Sequence, residues 1–213
     1  MNEIKKKREI IKYSKLFVKK KISPIRSGNI SIRHKKGNEE GFLISPSGKK
    51  NIDLKVEDIV FVKMSGEAEK KKKPSSEWRF HLDIYRSSQC NAIVHAHSKF
   101  AVICSCLYTV IPAFHYMIAL TEAKSIKVAN YALFGSKQLS KNITKSIKNS
   151  KCCLISNHGQ ITIGSDLEEA FELSEEVELL CEYYYYCTLK KSPNIISNKE
   201  MDKVLEKIIN YKS

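Results

Sequence analysis

The stretch that decides the fold is Ala92-Ile93-Val94-His95-Ala96-His97, in which two histidines stand two positions apart among small and branched apolar residues. A short apolar run of this kind is typical of a buried β-strand, in which successive side chains point to opposite faces. The spacing of two therefore places His95 and His97 on the same face of the sheet. Two adjacent imidazoles on a rigid strand could chelate a metal ion, or they could be a hydrogen-bonded pair in the core.

The composition of the chain fits one globular domain. Its 213 residues, 42% of them hydrophobic, are enough for a substantial core, and no repeat or long linker divides residues 1–213. No apolar run approaches the roughly 18 residues of a membrane-spanning helix. The basic segment 1–8 is not followed by the apolar core of a signal peptide. We therefore expect a single-domain cytoplasmic protein with no membrane partner.

The net charge of +14 raises the alternative of a nucleic-acid-binding module. The lysines are spread along the chain, arginine is sparse, and no strand interleaves basic and aromatic residues as RNA-binding strands do. We therefore expect no nucleic-acid partner, and a basic surface would instead attract a phosphorylated substrate. The seven cysteines form no CxxC pair, which indicates reduced, mostly buried thiols rather than disulfides or a zinc knuckle.

Hydrophobic periodicity predicts a mixture of helices and strands. Apolar positions recur at helical spacing in segments 3–21, 100–108, 137–148, 166–189 and 201–211. Short apolar or alternating runs predict strands at 30–33, 41–44, 59–64, 92–97, 126–129, 152–156 and 160–164.

Two loops at strand ends are rich in hydrogen-bond donors. Ser27-Gly28-Asn29 precedes the strand at 30–33, and Ser45-Pro46-Ser47-Gly48 follows the strand at 41–44. Glycine can adopt positive φ and expose backbone N–H groups, to which serine and asparagine add side-chain donors. The two loops could form an anion cradle, or they could be plain hairpin turns.

The segment 74–85 (PSSEWRFHLDIY) combines a helix start with a carboxylate. Ser75 or Ser76 would be the N-cap, and Glu77 would fall in the first turn. The free N–H groups of a helix start favour a phosphate, whereas Glu77 there could simply complement the helix dipole. His81, four residues after Glu77 on the same face, could be a further metal ligand or a core histidine.

A third histidine stands at a strand end, in Asn157-His158-Gly159. With Glu77 and the His95/His97 pair, His158 would complete a set of imidazoles and one carboxylate that zinc accepts in tetrahedral geometry. A metal beside an ionised carboxylate combines a Lewis acid with a base. The sequence therefore contains the parts of a metal-assisted proton-transfer site.

Taken in order, these motifs resemble the class II aldolase/adducin family, and the resemblance spans nearly the whole chain. The segments that carry it are 27–31 (SGNIS), 45–48 (SPSG), 74–81 (PSSEWRFH), 95–97 (HAH), 111–119 (IPAFHYMIA), 131–135 (YALFG) and 157–159 (NHG). The combination of PSSE, HAH and the later histidine is specific to the family. HYMIA and YALFG favour its fuculose-phosphate branch over its pentulose-phosphate epimerases.

The resemblance implies a three-layer α/β/α fold with a mostly antiparallel central sheet, assembled as a homotetramer with active sites at subunit interfaces. It implies that His95, His97 and His158 bind Zn²⁺. Glu77 would also bind the metal at rest and would leave it to act as the acid/base. Tyr116, offered from the adjacent subunit, would protonate or stabilise the oxygen of the aldehyde.

The resemblance also implies where the rest of the substrate binds. Backbone N–H groups and serine hydroxyls would bind the phosphate without a dedicated arginine, from Gly28, Asn29, Ser47, Gly48, Ser75 and Ser76. Phe134 would shape the aldehyde pocket, and Tyr211 matches a family tyrosine in a mobile C-terminal tail.

The implied reaction is the reversible, zinc-dependent cleavage of a ketose 1-phosphate. The default substrate is L-fuculose 1-phosphate, with dihydroxyacetone phosphate and L-lactaldehyde as products. The alternative within the fold is an aldolase or dehydratase for 5-deoxyribulose 1-phosphate or 5-methylthioribulose 1-phosphate. Adducin uses the fold as a cytoskeletal scaffold, but a scaffold has no use for Glu77 and the histidines. We therefore expect a lyase.

Overall fold

The computed structural model describes residues 2–212, apart from the side chains of Ile209, Tyr211 and Lys212. Its helices are α1 (Glu3–Lys19), α2 (Trp78–Ser87), α3 (Lys99–Leu107), α4 (Lys137–Ile147), α5 (Leu167–Thr188) and α6 (Asn198–Lys212). Its strands are β1 (Asn29–Lys36), β2 (Glu39–Ile44), β3 (Val60–Lys63), β4 (Ala92–Ala96), β5 (Val110–Ile111), β6 (Ile126–Ala129), β7 (Cys152–Ile155) and β8 (Gly159–Gly164).

The strands form one sheet in the order β3-β2-β1-β4-β8-β7-β6-β5. All neighbouring pairs are antiparallel except β6 and β7. Helices α2 and α4 cover one face of this sheet, and α1, α3 and α5 cover the other. The expected three-layer α/β/α fold with a mostly antiparallel central sheet is therefore confirmed.

Strand β4 lies in the middle of the sheet and alternates between its two faces. Ile93 packs into the cluster beneath α2 and α4, whereas Val94 and Ala96 pack against α1 and α5. His95 shares the face of Ile93, because side chains two apart on a strand point the same way. The strand ends at Ala96, so His97 stands one residue beyond it, at the sheet edge where a site can open.

The register of the sheet brings distant segments to this edge. Asn29, the first residue of β1, is paired with His95, and Gln160 near the start of β8 is paired with Ala96. The turn before β8 therefore carries His158 to the side of His97. Three segments that are far apart in sequence thus meet at one end of β4.

The start of α2 differs from the sequence prediction. The helix begins at Trp78, Glu77 is the residue before it, and no side chain caps the helix. Ser75 has other partners: its N–H donates to the Ser45 carbonyl at 3.0 Å, and its hydroxyl accepts from the Glu77 N–H at 3.3 Å. Because Glu77 lies outside the helical turns, its side chain is free to leave the helix surface and point into the sheet edge.

The cysteines and the helices agree with two expectations from composition. Within residues 2–212 the seven cysteines are all free, and only Cys106 and Cys187 are exposed. Over the same part of the chain, every helix is too short or too polar to cross a membrane.

Candidate metal centre and active site

Four side chains from three parts of the chain converge at the end of β4. They are Glu77, His95, His97 and His158, and one potential ligand atom from each lies within 4.8 Å of all the others. The Nε2 atom of His97 is 2.9 Å from Nε2 of His95 and 3.1 Å from Nε2 of His158. The two Glu77 oxygens each lie 3.2 Å from an imidazole, Oε2 from His95 and Oε1 from His158.

This geometry fits a tetrahedral metal ion. Ligand atoms at 2.0–2.1 Å from zinc are separated by about 3.3 Å from one another, close to the spacings of the cluster. His95 presents Nε2 to the cluster because its Nδ1–H donates to the Gln160 carbonyl at 2.8 Å, a bond that typically fixes the metal-binding tautomer. Glu77 Oε1 is buried with no hydrogen-bond donor among the described residues, and a cation would satisfy it.

The protonation states of the cluster also suit a cation. Burial, reinforced by the charge on His95, lowers the pKa of His97 to about 3 and that of His158 to about 4. Burial alone would raise the pKa of the Glu77 carboxyl. The charge and hydrogen bond of His95, followed by the charges of His158 and His97, outweigh burial and hold this pKa at about 2. At neutral pH the site therefore offers the neutral imidazoles of His97 and His158 and the carboxylate of Glu77.

A chain of buried side chains orients Glu77 from behind. Asn29 donates from Nδ2 to Glu77 Oε2 at 3.0 Å, and its Oδ1 is hydrogen-bonded to Nε2 of His81. Nδ1 of His81 is 2.7 Å from the Ser31 hydroxyl, which is in turn 2.8 Å from the Tyr85 hydroxyl. Burial lowers the pKa of His81 to about 3, so its neutral ring donates to Asn29. His81 is therefore the core histidine of the two alternatives and not a metal ligand.

A cavity of about 400 Å³ opens beside the cluster. The residues predicted to bind phosphate all line it, as does Phe134. His97, His158 and Glu77 form its inner end, where the candidate ligands face the opening. The cavity therefore joins the candidate metal centre to the donor-rich loops.

The loops hold a shape that only particular residues allow. Gly28 has φ +75°, and a Cβ atom there would lie 2.6 Å from the His95 carbonyl oxygen. Gly48 also has positive φ, at +78°, and faces open space. The Ser47 N–H donates to the Lys73 carbonyl at 3.2 Å, which ties this loop to the segment before Ser75. The donor-rich loops are thus walls of one cavity rather than plain hairpin turns.

The cavity has lining residues that the sequence analysis did not assign to the site, namely Arg26, Ser27, Pro46, Tyr131, Ala132 and Asn157. Arg26 matters most, because a phosphate subsite without an arginine was expected. It directly precedes the Ser27-Gly28-Asn29 loop. This position beside a candidate anion-binding loop is the sequence feature from which Arg26 could have been predicted as a site residue.

One residue predicted for the site, Tyr116, does not meet the cluster within the described chain. Tyr116 is 53% exposed and lies in a separate groove with α6. It is not among the residues that line the cavity, and its role in a neighbouring subunit's site stays a prediction. Tyr211 belongs to α6, but its side chain is outside the described residues.

Comparisons with known proteins agree with the fold. Residues 8–185 match the family model of the Class II Aldolase and Adducin N-terminal domain. The chain is 41% identical over 186 residues to the 5-methylthioribulose-1-phosphate/5-deoxyribulose-1-phosphate aldolase of Rhodospirillum rubrum, covering 87% of this chain and 82% of that protein. It is 40% identical over 188 residues to the L-fuculose phosphate aldolase of Haemophilus influenzae, covering 87% and 85%.

A solved structure of an L-fuculose 1-phosphate aldolase superposes with a TM-score of 0.91 at 34% identity, covering 96% of each chain. Together with the match over residues 8–185, this confirms the resemblance drawn from the motifs. The chain belongs to the class II aldolase and adducin family, and it is an aldolase, a lyase of that family.

Proposed function

We propose that the chain acts as a single domain over residues 1–213 and is a zinc-dependent aldolase that reversibly cleaves a ketose 1-phosphate. One observation carries the proposal: a buried to half-buried cluster of three imidazoles and a carboxylate opens directly into a cavity lined with phosphate-type donors. The first part suits a metal and a proton transfer, and the second suits an anionic substrate.

His95, His97, His158 and Glu77 would hold the ion. When bound, zinc would supply a Lewis acid that stabilises the negative charge formed as the substrate's carbon–carbon bond breaks. Zinc is favoured over Mg²⁺ or Ca²⁺ because those ions prefer oxygen ligands, whereas this set is mostly nitrogen.

Glu77 would transfer the proton at carbon. In cleavage the bond between C3 and C4 breaks, the C4 hydroxyl loses its proton and C3 gains one. Contact with the imidazoles keeps the pKa of Glu77 at about 2. Movement away from them would leave burial as the main influence, and burial raises the pKa of a carboxyl towards a range useful for proton transfer.

The loops would fix the phosphate and so place C3 and C4 beside Glu77. Gly28, Ser47, Gly48, Ser75 and Ser76 would contribute backbone N–H groups or hydroxyls. Asn29 lines the same cavity, but its side chain already bonds Glu77 and His81. We therefore assign the Asn29 amide to the orientation of Glu77, and any contact of Asn29 with phosphate to its backbone.

L-fuculose 1-phosphate is the default substrate, with L-lactaldehyde as the aldehyde product. A second candidate is 5-deoxyribulose 1-phosphate or 5-methylthioribulose 1-phosphate. It is favoured by the apolar rim of Tyr131, Ala132 and Phe134, which suits an apolar end of a substrate. The relative of 41% identity is named for these two substrates.

A panel of these ketose 1-phosphates, with a coupled assay for dihydroxyacetone phosphate, tests the function. We expect metal-dependent release of dihydroxyacetone phosphate from at least one substrate, and the ratio of kcat/KM values ranks the candidates. Glu77→Gln is the inactive control. No release from any of the three, in a zinc-loaded and folded protein, would contradict the proposal.

The site is also proposed to be shared between subunits of a cytoplasmic homotetramer. The exposure of Tyr116 outside its own cavity supports this, because a residue needed at the aldehyde end would then come from a neighbour. Refolding a mixture of Tyr116→Phe and Glu77→Gln subunits should restore activity that neither variant has alone. A monomer in light scattering, or mixtures with no restored activity, would argue against a shared site.

A further inference from the structure

We propose that Arg26 is a phosphate-binding residue of this chain and supplies the permanent positive charge of the phosphate end of the cavity. This inference rests on the proposed function, since it concerns the same cavity. It departs from the expectation that phosphate is bound by neutral donors alone.

The first support is the charge of the cavity. Among the described residues that line it, Arg26 is the one whose side chain is always cationic. Backbone N–H groups, serine hydroxyls and an asparagine make up the other donors at this end, and all of these are neutral. A dianionic phosphate held by neutral donors alone would keep its full charge, whereas a guanidinium binds it with charge-assisted hydrogen bonds.

The second support is that most N–H groups of the guanidinium have no partner among the described residues. One of its terminal nitrogens, Nη1, donates to the Gly48 carbonyl at 2.5 Å. No carboxylate of residues 2–212 lies within ion-pair distance of it. An arginine has five N–H donors, so most of them remain available to a ligand. The bond to Gly48 also holds the guanidinium against the loop that would surround the phosphate.

The third support is that the backbone around Arg26 is firmly braced. Ser27 N–H donates to the Pro24 carbonyl at 3.0 Å, which closes a turn over Arg26. Asn51 bonds the carbonyls on both sides of Arg26: its N–H donates to Ile25 at 3.0 Å and its amide to Ser27 at 3.1 Å. Ile25 is held at φ +48°, which a β-branched residue rarely adopts. The chain therefore maintains an unfavourable conformation that aims Arg26 along the cavity wall.

The test measures binding of inorganic phosphate to the zinc-loaded protein by isothermal titration at pH 8, without turnover. Arg26→Gln keeps a side-chain N–H donor but removes the charge, and Arg26→Lys keeps the charge without the planar fork. Lys50→Gln is the matched control, because Lys50 is an exposed cation close to the Gly48 loop that does not line the cavity. Phosphate held by the metal itself would contribute equally in all four proteins.

We expect Arg26→Gln to weaken phosphate binding about tenfold to a hundredfold, Arg26→Lys to lie in between, and Lys50→Gln to match the wild type. In turnover, Arg26→Gln should raise KM for a ketose 1-phosphate by a similar factor and change kcat little, as for a group that binds ground state and transition state alike. A purely structural Arg26 would instead make the Lys variant at least as weak as the Gln variant.

Phosphate affinity that is equal in the wild type and in a folded Arg26→Gln protein would overturn the assignment, even if the chain is an active aldolase. So would a wild type that binds no phosphate. Conversely, a selective loss in Arg26→Gln supports the assignment even if no ketose 1-phosphate in the panel is cleaved. The role of Arg26 is thus tested by phosphate binding, and the proposed reaction is tested by cleavage of the substrate panel.

Discussion

The inner end of the cavity and its rim are built in different ways. At the inner end Glu77 is 7% exposed, and His95 behind it is fully buried; both have hydrogen-bond partners that fix their side chains. At the rim Tyr131 and Phe134 are each 63% exposed and belong to the segment between β6 and α4. Segments at and beside the strand ends therefore position the proposed chemistry, whereas a loop would position what distinguishes one aldehyde from another.

The difference suggests that one inner end can serve several substrates. Cleavage between C3 and C4 needs the same charge stabilisation and the same proton transfer whatever follows C4. Relatives of nearly equal identity are named for different ketose phosphates, as expected if the rim varies while the inner end does not. Substitutions made from the inner end outwards test this division.

The largest effect is expected for His95→Ala. The substitution removes a proposed zinc ligand whose orientation is fixed by the Gln160 carbonyl. Zinc should therefore be lost, and kcat/KM should fall about a thousandfold or more. Metal analysis of the purified protein should give about one zinc per chain in the wild type and much less in the variant. His34→Ala, which alters a histidine outside the cluster, is the matched control and should retain zinc.

Glu77→Gln should retain the metal but lose turnover. The three imidazoles remain, but the amide cannot carry a proton to C3. We therefore expect kcat to fall about a hundredfold to ten-thousandfold. Metal analysis and steady-state kinetics on the same preparation measure both. Turnover close to that of the wild type would move the acid/base role to another residue.

Asn29→Ala tests the link between the sheet and the carboxylate. Removing the amide leaves Glu77 Oε2 without its donor at 3.0 Å, so kcat should fall about tenfold to a hundredfold while zinc content stays near that of the wild type. Asn29→Asp, of similar size but with a carboxylate beside Glu77, should be at least as impaired. A change confined to KM would instead show that the side chain serves the phosphate.

The sequence predicted much of the inner end because its residues obey local rules. A spacing of two on an apolar strand is enough to put His95 and His97 on one face, and a strand-end histidine before glycine is a recognisable position. The register that carries His158 to His97 depends on the pairing of β4 with β8, which are more than 60 residues apart in sequence. That proximity came from the family resemblance and not from periodicity.

The rest of the site was less predictable, for physical reasons. The start of α2 was misplaced because Ser75 bonds the neighbouring Ser45 carbonyl and the Glu77 N–H instead of capping a helix, and sequence alone does not show tertiary partners. Arg26 was overlooked because its position in the cavity depends on the Gly48 loop that folds beside it, and sequence alone does not show this contact. His81 was left between two roles until Asn29 and Ser31 were seen to occupy both of its nitrogens.

Acid should destabilise the metal-free protein through the inner end. His97 and His158 have pKa values of about 3 and 4 in the folded chain, against about 6.5 when unfolded. Below pH 6.5 the unfolded chain therefore binds more protons, and stability falls as pH falls towards 4. Glu77, with a folded pKa of about 2, adds to the loss below about pH 4.5.

We expect the Tm of the metal-depleted protein to fall by several degrees between pH 7 and pH 5, measured by thermal unfolding. His97→Gln should show a weaker dependence, because it removes one of the groups that titrates. Equal slopes for the two proteins would assign the acid sensitivity to other groups, namely the buried His81 and the general positive charge of the chain.

The smallest effect on overall rate, and the one that most directly tests the rim, is expected for Phe134→Ala. The ring is mostly exposed, and Phe134 is not one of the four candidate ligands in the described cluster, so zinc content should be unchanged. Loss of an apolar wall should alter the ratio of kcat/KM between 5-methylthioribulose 1-phosphate and L-fuculose 1-phosphate by about tenfold, within the range for one hydrophobic contact. Leu133→Ala is the control, because Leu133 is equally exposed on the same loop but does not line the cavity. If Phe134→Ala slows all substrates alike and leaves the ratio unchanged, the loop closes the site without selecting the aldehyde, and specificity must be sought in the residues that a neighbouring subunit would supply.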